Sequence, residues 1–80
     1  MIGGIVELDL HGSNLHQAEI AVNAALKRSK GAYRIRIIHG YHGGQAIKTM
    51  LRERYSKHPA VIRLEYGMNQ GETDLVLREF

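Results

Sequence analysis

Four short segments of the sequence alternate between apolar and polar residues, and this period-two pattern limits the fold more than any other feature. The segments are residues 4–10, 33–39, 61–66 and 73–79. Such alternation is typical of strands that bury one face and expose the other. A sheet covered on both faces needs strands that are apolar throughout. The pattern therefore predicts a sheet with one covered face and one face open to water.

Two segments between these strands have the spacing of amphipathic helices. The first begins after Ser13 and Asn14, which are residue types that cap helices, and it continues to about residue 29. The second spans residues 45–57 and ends before Pro59. Its predicted buried face consists of Ile47, Met50, Leu51 and Tyr55. The order is βαβαββ, so we expect an α/β fold, specifically an α+β two-layer sandwich with both helices on one face of a four-stranded sheet.

The chain is 80 residues long and contains no cysteine. This length suits one small domain, and we assign residues 1–80 to it. Without cysteine the chain forms no disulfide and offers neither thiolate zinc ligands nor a thiol nucleophile. No apolar run approaches the roughly 18 residues of a membrane span. We therefore expect a cytoplasmic protein that does not bind membranes.

Positive charge is concentrated in the middle of the chain. Residues 27–63 contain ten lysines and arginines and one glutamate, whereas the rest contains one arginine and seven acidic residues. The local balances of +9 and −6 give the net charge of +3. A basic segment of this kind favours a polyanionic partner such as nucleic acid. A solvated basic face without such a partner is the alternative.

The first two predicted strands both end in His-Gly and lead into a helix. The two pairs are His11-Gly12 and His39-Gly40. Strands joined by a crossover helix run parallel, so both imidazoles would lie at one edge of the sheet if the strands are neighbours. Binding sites in open α/β sheets lie at such edges. The repeated motif therefore marks the predicted site.

A glycine-rich loop follows the second His-Gly pair. Gly43 and Gly44 would let a phosphate approach the backbone, and the N–H groups of a helix start attract anions. The glycine spacing matches neither a Walker A loop nor a dinucleotide-binding fingerprint. In the same loop, Tyr41 could stack on a base or cover the apolar side of the loop. His42 could be a metal ligand or simply a polar loop residue.

Together these motifs resemble the small MutS-related (Smr) domain family. The resemblance is carried by the string Leu8-Asp9-Leu10-His11-Gly12, by the basic strand ending in Ile37-Ile38-His39-Gly40, and by Gly71 before the last strand. It covers essentially the whole chain. One residue departs from the family pattern. The commoner second motif is His-Gly-x-Gly-x-Gly, and His42 replaces its middle glycine here.

The resemblance implies a mixed sheet in the order 1-2-4-3 with an antiparallel last strand, similar to the C-terminal domain of translation initiation factor three. It also implies nucleic-acid binding and, in several members, endonuclease activity on DNA or RNA. Asp9 and His11 occupy the motif that the family links to cleavage, and His39 lies in the motif linked to binding and catalysis. The predicted nucleic-acid-binding residues are Gly12, Gly40, Tyr41, His42, Gly43, Gly44, Lys48 and Arg52.

The chemistry of phosphodiester hydrolysis fits these residue types. The reaction needs a base for the nucleophile and an acid for the leaving oxygen. His11 and His39 could supply both, because an unperturbed histidine titrates near ~6.5. Asp9 could orient His11, or Asp9 and His11 could help to hold Mg²⁺ or Mn²⁺. Lys48 and Arg52 on the second helix could hold flanking phosphates.

Each assignment has a structural alternative. Asp9 could form a cross-strand charge pair with Arg34 or Arg36, and His11 and His39 could be turn residues that bond the backbone. The leading functional hypothesis is an Smr-type domain that binds and cuts nucleic acid. The alternatives are a nucleic-acid-binding module without catalysis and a protein-interaction domain that uses the open sheet face. The sequence leaves the oligomeric state open.

Overall fold

The strands and helices follow one another along the chain in the predicted order, βαβαββ. The structure, a computed structural model, describes residues 4–41, 44–67 and 70–79. Its elements are β1 (Ile5–Asp9), α1 (Leu15–Arg28), β2 (Arg34–Ile38), α2 (Gln45–Tyr55), β3 (Arg63–Glu65) and β4 (Glu72–Val76). No helix in these ranges is long and apolar enough to cross a membrane. The cytoplasmic location stays a prediction.

The four strands form one mixed sheet in the order β1-β2-β4-β3. β1 and β2 are parallel, with Val6 opposite Ile35 and Leu8 opposite Ile37. β4 runs antiparallel to both of its neighbours, β2 and β3. The strand order and directions that the family resemblance implies are therefore confirmed. The likeness to initiation factor three stays a prediction.

Both helices pack on the same face of the sheet. The core combines alternate strand residues with the buried faces of the helices. Its fully or nearly fully buried members include Ile35, Ile37 and Leu75 from the sheet, Ala18, Val22 and Ala25 from α1, and Ile47, Met50, Leu51 and Tyr55 from α2. Each large aliphatic side chain buried in this way contributes roughly 1.5–3 kcal/mol. The two-layer architecture and the predicted buried face of the second helix are confirmed.

A capping box fixes the start of α1. The Asn14 side chain accepts a hydrogen bond from the backbone N–H of Gln17 at 2.8 Å, and the Gln17 side chain accepts one from the backbone N–H of Asn14 at 3.0 Å. This exchange satisfies two backbone donors that a helix start otherwise leaves open. The helix therefore begins at a defined point, directly after the first His-Gly turn.

The third strand is shorter than predicted, and the residues before it do not follow its alternation. Val61 is buried in the core, whereas Ile62 is 50% exposed. The alternation predicts Ile62 on the covered face with Leu64, and Val61 on the open face; it is wrong for Val61 and Ile62, which precede the strand Arg63–Glu65. The turn after α2, closed by a bond from the N–H of Val61 to the carbonyl of His58, sets their directions instead.

The face of the sheet away from the helices carries a network of ion pairs. Asp74 accepts hydrogen bonds from Arg34 at 2.7 Å and from Arg36 at 3.1 Å, and Arg34 also contacts Glu65 at 3.0 Å. Burial acts to raise the pKa of Asp74, but the hydrogen bonds from Arg36 and Arg34 outweigh it and hold that pKa below its usual value. Within the described residues Asp9 forms no ion pair, so the predicted alternative of an Asp9–arginine pair is wrong.

Candidate nucleic-acid interface at the His-Gly edge

The two His-Gly turns lie side by side at one edge of the sheet. The N–H of Leu10 donates to the carbonyl of Ile38 at 2.8 Å, which extends the β1–β2 pairing to the residue before His11. The N–H groups of His39 and Gly40 both donate to the carbonyl of Gly71, at 2.9 and 3.0 Å. We call the region formed by His11-Gly12, His39-Gly40 and the first turn of α2 (residues 45–48) the His-Gly edge. The parallel strands bring the two motifs together as predicted.

Asp9 shapes the turn that carries His11. Its Oδ1 atom accepts a hydrogen bond from the backbone N–H of His11 at 3.0 Å. A bond from an aspartate side chain to the backbone two residues on is an Asx turn. Gly12 follows with φ of +84°, in the left-handed region that favours glycine. Asp9 therefore positions His11 through its backbone.

The His11 side chain is exposed and lies against the second motif. Its Cδ2 atom is 4.0 Å from the position that a Cβ atom on Gly40 would take. The imidazole therefore lies over Gly40, where it can reach a ligand bound at the edge.

His39, in contrast, is buried beneath the edge and only 1% exposed. Its Nε2 atom lies 2.9 Å from the Thr73 hydroxyl, and its Nδ1 atom lies 3.0 Å from the Gly40 carbonyl oxygen. A carbonyl oxygen only accepts, so Nδ1 carries the proton and Nε2 accepts from Thr73. Burial lowers the pKa of His39 and the charge of Lys48 lowers it further, against the raising effects of the Gly40 carbonyl and Glu72. A neutral ring with both nitrogens occupied does not fit the proton-transfer role predicted for His39.

The start of α2 packs directly against the backbone of the second motif. A Cβ atom on Gly44 would overlap the carbonyl oxygens of Gly40 and His39, and would stand 2.7 Å from the carbonyl carbon of His39. Packing therefore requires glycine at position 44, independently of the predicted approach of a phosphate. Among the described residues no side chain caps the helix, and its first turn contains no acidic residue. Its first N–H groups lack partners within the helix and lie at the positive end of the helix dipole.

The cations of the basic segment divide into two groups. Those that pair with acids are Arg34 and Arg36 with Asp74, Arg54 with Glu19, and Arg63 with Glu65 and Glu79. Those without an acidic partner among the described residues are Lys48 and Arg52 on α2, and Lys27, Arg28, Lys30 and Lys57 at the far ends of the helices. Unpaired positive charge therefore lies on the helix layer and the loops that follow it, whereas the arginines of the open face are neutralised.

The donor set at the edge supports only a partial metal site. Within the described ranges, no three or more His, Asp or Glu side chains are grouped so that they could hold a metal ion. Mg²⁺ is often held by one or two carboxylates, with phosphate oxygens and water filling the other positions. Asp9 fits such a partial site. Binding of Mg²⁺ or Mn²⁺ by Asp9 and His11 stays a prediction.

The loop between the second motif and α2 is described in part. His42 and Gly43 lie outside the described residues, and their predicted roles stay predictions. Tyr41 is 56% exposed, and its carbonyl oxygen accepts a hydrogen bond from the Gln45 side chain at 3.3 Å. Its ring therefore lies on the surface of the loop.

Two residues at this edge were missed by the sequence reasoning. Thr73 bonds His39, and the signal for it is the strand order, because β4 beside β2 places Thr73 opposite Ile37. Tyr66 is 46% exposed just after β3, and the Lys48 ammonium lies 5.2 Å from its ring centroid. The signal that could have identified Tyr66 is an aromatic residue at the end of the alternating segment, directly before Gly67.

Comparison with known proteins assigns this chain to one family. The model of the Smr domain family matches residues 8–76. The chain is also similar to the crystal structure of the Smr domain of Thermus thermophilus MutS2, with a TM-score of 0.80 and 28% sequence identity over 92% of this chain and 99% of that one. No curated protein matches the sequence significantly. The chain belongs to the Smr domain family, whose members are known as nucleic-acid-binding, nuclease-type domains.

Proposed function

We propose that this chain binds nucleic acid at the His-Gly edge and cleaves phosphodiester bonds there. The observation that carries the proposal is the exposed His11 imidazole over Gly40, next to the start of α2, which no described side chain caps. A phosphate bound between them would meet backbone N–H groups on one side and a proton-transfer group on the other.

In the proposed reaction, the His11 imidazole takes a proton from a water molecule as the water oxygen attacks phosphorus. The bond from phosphorus to the leaving oxygen of the neighbouring nucleotide breaks, and that oxygen takes a proton from solvent. The N–H groups at the start of α2 stabilise the charge that develops on the other phosphate oxygens. Asp9 keeps His11 in place through the turn, and His39 holds the second motif against Thr73.

The burial of His39 favours a second candidate, a binding module without catalysis. Hydrolysis by two histidines needs both rings to reach the substrate, and only His11 of the pair is exposed. A protein-interaction role for the open sheet face has less support, because at its centre Arg34 and Arg36 are already paired with Asp74.

The proposed interface predicts which cations matter for binding. Replacing Lys48 and Arg52 together with alanine should weaken binding of a single-stranded oligonucleotide and reduce the salt dependence by about one unit of log–log slope per lost phosphate contact. The measurement is fluorescence anisotropy of a labelled oligonucleotide between about 50 mM and about 200 mM salt.

The matched control removes two other unpaired cations. Lys27 and Lys30 lie at the far end of α1, so the double alanine variant loses the same charge away from the His-Gly edge. We expect its slope and affinity to stay close to those of the wild type. Equal losses in both double variants would show that net charge, rather than this edge, governs binding.

A further inference from the structure

We infer that Tyr66 and Lys48 form a stacking site for an unpaired nucleotide, so that the His-Gly edge binds single-stranded or locally unpaired nucleic acid. This inference rests on the proposed function and names its substrate class. It is carried by the exposure of Tyr66, by the position of Lys48 and by the place of both residues at the same end of the sheet as His39.

Tyr66 lies at the same sheet edge as the two histidines. It directly follows Glu65, which pairs with Asp74 across the β3–β4 ladder. The next position along β4 is Thr73, whose hydroxyl bonds the His39 ring at 2.9 Å. Tyr66 is therefore separated from His39 by one strand, and 46% of its surface is open to solvent.

Lys48 connects this ring to the start of α2. Its ammonium lies 5.2 Å from the Tyr66 ring centroid, within the range of a cation–π contact. It forms no ion pair with an acid in the described part of the chain, and its charge acts on His39. A base stacked on the exposed part of Tyr66 would bring its own phosphate within reach of Lys48.

The geometry favours an unpaired base over a duplex. Bases in a duplex are already stacked on their neighbours, whereas an unpaired base can offer its flat face to an aromatic side chain. Tyr41, on the loop after the second motif, is 56% exposed and places another aromatic ring on this edge. Exposed aromatic rings together with positive charge, here Tyr66 with Lys48, are the combination that non-specific single-strand binding uses.

Fluorescence provides a direct test because the chain contains no tryptophan. In a Tyr66→Trp variant the indole is the only one, and stacking of a base on it quenches its emission. We expect emission to fall and saturate on titration with oligo(dT). The matched control is Ile62→Trp, which is also exposed but lies at the other end of β3. Its emission should not change.

Affinity measurements on the unaltered protein and on two further Tyr66 variants separate this inference from the proposed function. The unaltered protein should bind oligo(dT) at least about 5-fold more tightly than a duplex, and Tyr66→Ala should remove about 5- to 100-fold of the single-strand affinity, while Tyr66→Phe should keep it. Equal binding of both forms without quenching would overturn the stacking site and leave the proposed function standing. Absence of binding to either form would overturn both.

Discussion

Replacing Gly44 with alanine should lower the free energy of unfolding by about 3 kcal/mol or more. The added Cβ atom would overlap the carbonyl oxygens of Gly40 and His39 and stand 2.7 Å from a carbonyl carbon. All of these atoms belong to the backbone, so no flexible side chain can move aside. Because a domain of this size has roughly 4–12 kcal/mol of stability in total, much of it would be lost.

Chemical denaturation measures this effect, with Gly67→Ala as the matched control. A Cβ atom on Gly67 would meet nothing within 4 Å, and we expect its stability to change by less than about 0.5 kcal/mol. If Gly44→Ala were as stable as Gly67→Ala, α2 could not start against the second motif as described. The backbone N–H groups of the first turn of α2 would then not lie at the His-Gly edge either.

Replacing His11 with alanine should reduce cleavage about 100-fold or more and leave nucleic-acid affinity within a few fold. In the proposed reaction this exposed imidazole transfers the proton, whereas the proposed binding depends mainly on phosphate contacts. Cleavage of single-stranded RNA, duplex DNA and nicked or branched DNA is measured with Mg²⁺, Mn²⁺ and EDTA. The control is His16→Ala, an exposed histidine on α1, which should cut at the wild-type rate.

Two substitutions of Asp9 separate its structural role from a metal-binding role. Asparagine keeps an oxygen that can accept from the His11 N–H, so Asp9→Asn should preserve the turn and most of the rate, whereas Asp9→Ala should lose both. A large loss in Asp9→Asn that depends on the metal ion supplied would instead support the predicted metal site. Unchanged cleavage in a folded His11→Ala variant would contradict the catalytic assignment and leave the binding module as the function.

The architecture could be predicted because the relevant signals are local. The strands show their alternation within a few residues, apart from Val61 and Ile62 before β3. Asn14 and Gln17 lie three positions apart in the capping box that starts α1. The two His-Gly turns meet because a helix joins the strands that they end, and such strands are parallel. From these local patterns the element order, the two layers and the shared edge all follow.

The details of the site depend on contacts that no local pattern contains. His39 is hydrogen-bonded to Thr73, 34 residues away, and this bond exists only because β4 pairs with β2. The same pairing supplies Asp74 as the partner of Arg34 and Arg36, which removes the sheet arginines from the available positive charge. Sequence position therefore identified the edge, whereas tertiary pairing decides which histidine and which cations are exposed there.

Backbone amide chemical shifts report where nucleic acid contacts the protein, and so whether it binds at the His-Gly edge. The isotope-labelled protein is titrated with a single-stranded oligonucleotide, and the shift changes are assigned residue by residue. The largest changes should fall on Gly12, Gly40, Ala46 and Lys48, with little change at Arg36 on the open face. Changes concentrated on the open face around Arg36, with none at the two His-Gly turns, would contradict binding at the His-Gly edge.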